Sequence, residues 1–262
     1  MIDTQLIFKD KITPGLDPDS HSPTLKEYHK IIWSKQPLPC GQFFDLSDEH
    51  PRAYLYHKSD LGEFSLSSDA ILHSYLYVNT KNDIGCKKYW PDIIDKKEDV
   101  DYAYKSRWSG IEIRDQLHKK DIEEFWRTVS NISGYILFPS YKVDNKDTIN
   151  MARGKDQKIC DRFDLTLECI RLFYEGEQNP LSDTLQRYEL FFKKLFKSFK
   201  GYVDFFLLQD LVDDDYKVKF FLEFDKFNRS PLPQNVKEYL KYKDNVIDFA
   251  KARTKRIEGL NL

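Results

Sequence analysis

One predicted helix, over residues 159–175, limits the fold of this chain more than any other segment. Apolar side chains cover most of its circumference, among them Leu165, Leu167, Ile170 and Phe173. A helix with so wide an apolar surface is stable in water only when most of that surface is covered by other elements. The sequence therefore predicts a helix packed into the core, with one narrow strip left for charge.

That strip carries five charged residues in steps of three and four, which places them on one helical face. They are Asp161, Asp164, Glu168, Arg171 and Glu175. Acidic residues are also common in a first helical turn, where they cap free N–H groups and complement the helix dipole. Two interpretations follow for Asp164 and Glu168: a general base or metal ligand in an active site, or members of internal ion pairs.

Arg162 is predicted to point toward the core, between Leu165 and Phe173. A guanidinium group in that position needs a carboxylate or a bound anion, because an unpaired buried charge costs several kcal/mol, on the order of the whole stability of a domain. The sequence leaves both partners open.

The segment just before this helix has loop character and contains Asn150, Arg153 and Gly154. The planar fork of an arginine suits phosphate or carboxylate, and glycine permits close approach of the backbone to a ligand. Helix N-termini also favour anions. These features predict a phosphate site in which Arg153, Arg162 and Arg171 bind the anion and Asn150 orients it, although Asp161 and Asp164 would repel it.

The rest of the chain predicts an α+β fold with helices packed on a small, mainly antiparallel sheet. Its 262 residues show no repeat and no linker, so we expect one domain over 1–262. Helices are predicted over 24–35, 121–132, 184–199 and 235–257, and strands within 51–78 and over 218–224, with a short strand or buried turn at 134–140.

The composition limits the cellular location and the binding partners that we expect for this chain. The net charge of −2 gives no overall attraction to nucleic acid, and no apolar run reaches the roughly 18 residues of a membrane span. The chain shows no signal peptide, and its four cysteines form no paired spacing. We therefore expect a cytoplasmic protein without a membrane partner. No histidine or cysteine spacing indicates a metal, and the cofactor is unknown.

Three weaker patterns have ordinary structural explanations. Arg52 and His57 fit the Arg-x4-His spacing of helical endoribonuclease domains, but their neighbours predict an extended chain. The lysines of 193–200 and the charged segment 251–258 resemble nucleic-acid-binding clusters. Both are also typical of the solvated face of a helix and of a charged chain end.

Three blocks together resemble an uncharacterised family of bacterial cytosolic proteins. They are 21–41, 148–174 and 182–212, and the middle one, with its TIN-x-ARG and DRFDLTLECIR motifs, is the most specific. The resemblance implies a bacterial cytosolic origin and a single folded unit, and it transfers no catalytic residue.

Two functions are therefore predicted. The first is an enzyme or binding protein for a phosphate-bearing substrate, a nucleotide or nucleic acid, in a toxin or phage-defence context. The second is a non-catalytic interaction or regulatory protein with a protein partner, in which the charged helix is paired internally. A pocket that exposes Arg153 and Glu168 would favour the first, and a filled core around them the second.

Overall fold

The computed structural model describes most of the chain and confirms the predicted α+β class. The described residues are 18–72, 78–80, 102–104, 124–125, 128–129 and 131–260. Half of the helix predicted over 121–132 lies outside them.

A four-stranded antiparallel sheet forms the β layer, in the spatial order β1-β2-β3-β6, and β4 and β5 form a separate antiparallel pair. The bounds are β1 Leu46–Ser47, β2 Leu55–Ser59, β3 Gly62–Ala70, β4 Val78–Thr80, β5 Tyr102–Tyr104 and β6 Tyr135–Pro139. All five residues of β6 are buried, whereas buried and partly exposed residues mostly alternate along β3. The sheet therefore contacts the core through β6 and through one face of β3.

Seven α-helices surround this sheet in the described part of the chain. They are α1 Pro18–His21, α2 Pro23–Ser34, α3 Ile149–Lys155, α4 Phe163–Glu175, α5 Ser182–Arg187, α6 Phe199–Phe205 and α7 Val236–Glu258. A π-helix covers Leu190–Phe196, and short 3-10 helices cover Ile132–Gly134 and Gln209–Leu211. Within the described ranges no helix is both long and apolar enough to cross a bilayer.

Local capping signals place the first and last long helices correctly. The Ser22 hydroxyl accepts a hydrogen bond from the backbone N–H of Leu25 at 3.0 Å, and Pro23 occupies the first helical position of α2. Asn235 caps α7 in the same way. His57 lies on the extended strand β2, as the residues around it predicted.

Two predicted elements are wrong. The helix predicted over 184–199 is divided into α5 and the π-helix and ends at Lys197, whose φ is +63°. The wider turn of the π-helix brings the rings of Phe191 and Phe196, five residues apart, to 5.3 Å. The strand predicted over 218–224 has only an isolated bridge at Val218. The N–H of Phe221, which a strand would use for pairing, donates to the buried Asp164 carboxylate instead.

Aromatic rings fill the core where α2, the π-helix and α6 meet. Trp33 lies 5.4 Å from Phe206 between ring centroids, and Phe206 contacts Phe196 at 5.3 Å and Tyr202 at 5.0 Å. Most of these pairs are tilted or edge-on, which is the favourable geometry for aromatic rings. Part of the high aromatic content of the sequence therefore forms a connected cluster in this region.

His29 is a fully buried histidine that joins α2 to the sheet. The Trp33 indole N–H donates to His29 Nδ1 at 2.8 Å, and His29 Nε2 lies 2.8 Å from the Ser68 hydroxyl. Because an indole can only donate, Nδ1 must be the acceptor and Nε2 carries the proton. Burial, assisted by the charge of Arg253, lowers the pKa of His29 to about 3.

The free energy of unfolding is therefore expected to fall as the pH drops below about 6.5, the ordinary histidine pKa. Between that value and the folded-state pKa of about 3, the unfolded chain binds a proton at His29 that the folded chain excludes. Urea unfolding from pH 7 to pH 5 measures this slope. In His29→Gln the slope of the free energy of unfolding against pH should decrease by the equivalent of up to one bound proton. An unchanged slope would contradict the low folded-state pKa of His29.

Candidate functional site

The charged block of residues 148–175 forms two helices joined by a tight bend. The Thr148 hydroxyl caps α3, so the segment predicted as a loop is helical. Cys160 and Asp161 then adopt left-handed conformations, with φ of +45° and +66°. For that reason α4 begins at Phe163, four residues later than predicted, and Asp161 lies in the bend rather than on the helix.

Arg153 is fully buried and binds back onto this bend. Its Nε donates to the Thr166 hydroxyl at 3.1 Å, and its Nη2 donates to the carbonyl of Asp161 at 2.6 Å. Nη1 forms an ion pair with the Asp161 carboxylate at 2.5 Å. Thr166 in turn donates to the carbonyl of Arg162 at 2.9 Å. Arg153 thus fixes the bend and the first turn of α4 to α3.

Arg162 and Asp164 form a buried ion pair, with side chains 4% and 0% exposed. Arg162 Nε donates to Asp164 Oδ1 at 3.1 Å, and Nη2 donates to Asp164 Oδ2. Nη1 donates to the carbonyl of Pro231 at 2.6 Å, and Asp164 Oδ2 also accepts the N–H of Phe221 at 2.9 Å. Burial alone would lower the pKa of Arg162, but the Asp164 carboxylate raises it, so the guanidinium stays charged.

Glu168 and Arg171 form a second, bidentate pair further along α4. Two parallel hydrogen bonds of 2.8 Å join the guanidinium to the carboxylate, and Arg171 Nη1 also contacts Glu175 at 2.6 Å. Hydrogen bonding to Glu168 raises the pKa of Arg171. The Glu168 side chain is only 8% exposed. Both oxygens of the predicted general base therefore accept hydrogen bonds from an arginine of the same helix.

The predicted site residues thus divide into separate groups. Thr166 links the group of Arg153 to that of Arg162 and Asp164. Glu168 and Arg171 pair with each other. Asn150 is exposed in the first turn of α3. Three of the four predicted binding side chains, those of the arginines, therefore have protein carboxylates as partners.

The described structure leaves little space beside Arg162. The crevice beside Arg162, between Leu165 and Pro231, has a volume of about 10 Å³, which is no more than one water molecule needs. Burial raises the pKa of the Cys160 thiol to about 11, so this sulfur is a weak nucleophile at neutral pH. Among the described residues no group of three or more His, Cys, Asp and Glu side chains has a metal-binding arrangement.

Arg253 is a buried charged residue that sequence reasoning missed. The segment 251–258 reads as a charged chain end, yet Arg253 is 0% exposed. It donates to the backbone carbonyls of Ser133 at 2.7 Å, Tyr135 at 2.9 Å and Phe206 at 3.1 Å. Burial lowers its pKa to about 9. Its position four residues after Phe249 and four before Ile257, on the apolar face of α7, was the available signal.

Comparison with other proteins places the chain in a family. Neither a comparison with curated proteins nor one with solved structures finds a match. Residues 2–110 and 92–257 match a family of unknown function, DUF6994, and together they span nearly all of the 262 residues. A bacterial and cytosolic origin stays a prediction. The prediction of an uncharacterised family is thus confirmed, since the chain belongs to the DUF6994 family, whose function is unknown.

Proposed function

We propose that this chain is a non-catalytic binding protein, with an interaction or regulatory role, and that the charged block of 148–175 belongs to its structural core. One observation carries the proposal. Each polar nitrogen of the Arg162 guanidinium contacts Asp164 or the Pro231 carbonyl, inside a site that is 3% exposed. Three of the five N–H donors are thus bound within the protein, and the burial of the side chain leaves almost no surface through which a substrate could contact the other two.

The alternative is an enzyme that binds a nucleotide or nucleic acid, in a toxin or phage-defence setting. A phosphate at this site would have to replace the Asp161 carboxylate on Arg153 and the Asp164 carboxylate on Arg162. It would also need a cavity much larger than the 10 Å³ beside Arg162. Both requirements support the non-catalytic proposal.

Thermal unfolding in the presence of phosphate compounds tests this proposal. The compounds are nucleotides, short RNA and DNA strands, and inorganic phosphate, each with and without Mg²⁺. A ligand at 100 times its Kd would stabilise the folded state by about 2.7 kcal/mol and raise the Tm visibly. We expect no such rise.

Arg153→Lys and Asn150→Ala separate structure from binding. Arg153 is buried and fixes the bend, so Arg153→Lys is expected to lower the Tm without any ligand, while Asn150→Ala at the exposed position should leave it unchanged. A nucleotide that raises the Tm of the unmodified protein, and loses that effect in a folded Arg153→Lys, would overturn the proposal in favour of the phosphate site.

A further inference from the structure

A cleft lies away from the charged block, between α6 and the turn that follows α2. Its volume is about 540 Å³, within the usual range of small-molecule sites. One wall contains Pro37 and Pro39, and the other contains Lys200, Asp204 and Phe205 of α6. Neither Arg153 nor Arg162 lines it.

The two walls are held together closely. A Cβ atom on Gly201 would lie 2.8 Å from Pro39 Cγ and 2.2 Å from the carbonyl oxygen of Phe196, so only glycine permits this approach. The proline turn is closed by a hydrogen bond of 2.7 Å from the N–H of Leu38 to the carbonyl of Gln42. Because each proline also fixes its own φ, this wall is formed before any ligand binds.

The backbone next to the cleft is strained. Lys197 has φ +63° and ψ −37°, and the N–H of Ser198 donates to the carbonyl of Phe196 at 2.7 Å. These values are close to the rare γ-turn with positive φ, which a lysine adopts only at a cost. Strain of this kind is concentrated at functional sites, as are π-helical turns. Here a π-helix and a strained turn directly precede the wall that carries Lys200 and Asp204.

A network of charges lies in this wall. Lys200 Nζ contacts Asp204 Oδ2 at 2.5 Å and also donates to the Tyr216 hydroxyl. The Tyr216 hydroxyl donates to Asp204 Oδ1 at 3.0 Å, and Gln209 supports the same oxygen at 3.3 Å. The side chains of Lys200 and Asp204 are 61% and 38% exposed. Both charges are therefore within reach of a molecule in the cleft.

The pair of Lys200 and Asp204 limits the kind of ligand that can bind in the cleft. An anion that approached Lys200 would be repelled by Asp204, and a cation on Asp204 would be repelled by Lys200. A zwitterion presents a carboxylate to Lys200 and an ammonium group to Asp204, so each charge keeps an opposite partner. The apolar surface of Pro37 and Pro39 would then contact an apolar side chain of the same molecule.

We infer that this cleft binds a free α-amino acid or dipeptide with an apolar side chain. The inference goes beyond the proposed non-catalytic function and assigns the cleft a ligand class of its own. The cleft and the charged block share no residue, so each can be tested without the other.

NMR titration of the full chain with phenylalanine, leucine and the dipeptide Leu-Phe tests the inference. Chemical-shift changes are expected for Gly201, Asp204 and the residues of the proline turn. The Kd is expected to be about 1 mM or lower. Phenethylamine lacks the carboxylate and hydrocinnamate lacks the ammonium group, so each should bind about two- to fivefold more weakly, as expected when one exposed ion pair is lost.

Two lysine variants provide a matched comparison. Lys193 forms the same type of pair with Glu189, four residues apart at 2.6 Å, but lies outside the cleft. Lys200→Met should weaken amino-acid binding about two- to fivefold, and Lys193→Met should leave it unchanged.

Each outcome has a separate meaning. Equal binding of phenylalanine and hydrocinnamate, or an unaffected Lys200→Met, would overturn the inference, as would the absence of shifts at about 10 mM ligand. None of these results would affect the proposed non-catalytic role. Binding of a nucleotide that depends on Arg153 would overturn that role and leave the amino-acid cleft intact.

Discussion

Arg253→Ala is expected to lower the free energy of unfolding by about 3–5 kcal/mol, one of the largest effects of any single change in this chain. The side chain donates to three buried carbonyls, those of Ser133, Tyr135 and Phe206. Each would lose this buried donor. The guanidinium also lies over the Trp33 ring at 5.7 Å. Removal therefore also opens a cavity beside the aromatic core.

One effect opposes this loss. Burial disfavours the charged form of Arg253 and lowers its pKa to about 9, so its removal relieves a desolvation penalty. We expect the loss of the three hydrogen bonds to outweigh this relief, because three unsatisfied carbonyls cost about 1–3 kcal/mol each. Arg253→Met, which fills the space but donates nothing, should recover only the packing part.

Urea unfolding measures the difference, with Arg256→Ala as the matched control. Arg256 lies on the same helix and pairs with Asp210 at 2.6 Å, but its side chain is 41% exposed. An exposed pair contributes less than about 1 kcal/mol. Similar losses in the two variants would mean that the buried donors of Arg253 contribute little.

Elements set by neighbours in sequence could be predicted. Ser22 and Pro23 begin α2, and Asn235 begins α7, because capping depends on residues within one turn. The alternation of apolar residues before residue 70 predicted β2 and β3 for the same reason. These are the parts of the fold that need no knowledge of distant partners.

Elements set by distant partners could not be predicted. The segment around Phe221 has the composition of a strand, but its N–H binds Asp164, 57 residues earlier in the chain. Arg253 has the surroundings of a charged chain end, but its acceptor Ser133 is 120 residues away. Composition alone therefore gave the wrong environment for both. For Arg253 the helical spacing from Phe249 and Ile257 indicated burial, but no local pattern could identify its acceptors.

The candidate site also combines features that local sequence predicts with features that depend on distant contacts. The sequence predicted that a core-facing Arg162 requires a negative partner, because that follows from the cost of a buried charge. It could not choose between a bound anion and a carboxylate. The choice depends on where α4 starts, and the left-handed residues Cys160 and Asp161 move that start to Phe163. Asp164 then lies within reach of Arg162 instead of on the predicted outer strip.

Arg162→Ala is the second large change, with an expected loss of about 3–5 kcal/mol in the free energy of unfolding. In the described structure it would leave the Asp164 carboxylate, which is fully buried, with the N–H of Phe221 as its remaining donor. The carbonyl of Pro231 would lose its donor as well. The chain segment from Phe221 to Pro231 is therefore expected to open locally before the rest of the fold. Faster hydrogen exchange at the backbone amide of Phe221 would show this opening.

The double variant Arg162→Met with Asp164→Asn distinguishes a lost charge partner from a lost side chain. It removes both charges, keeps an acceptor for Phe221 and fills most of the arginine volume. Because a neutral pair avoids the desolvation penalty, the double variant should be more stable than Arg162→Ala. Arg171→Ala on the same helix, where the arginine is 19% exposed, should cost less than either. If the double variant were the least stable of the three, the charged pair would itself stabilise the folded protein, and would not only avoid the cost of an unpaired buried charge.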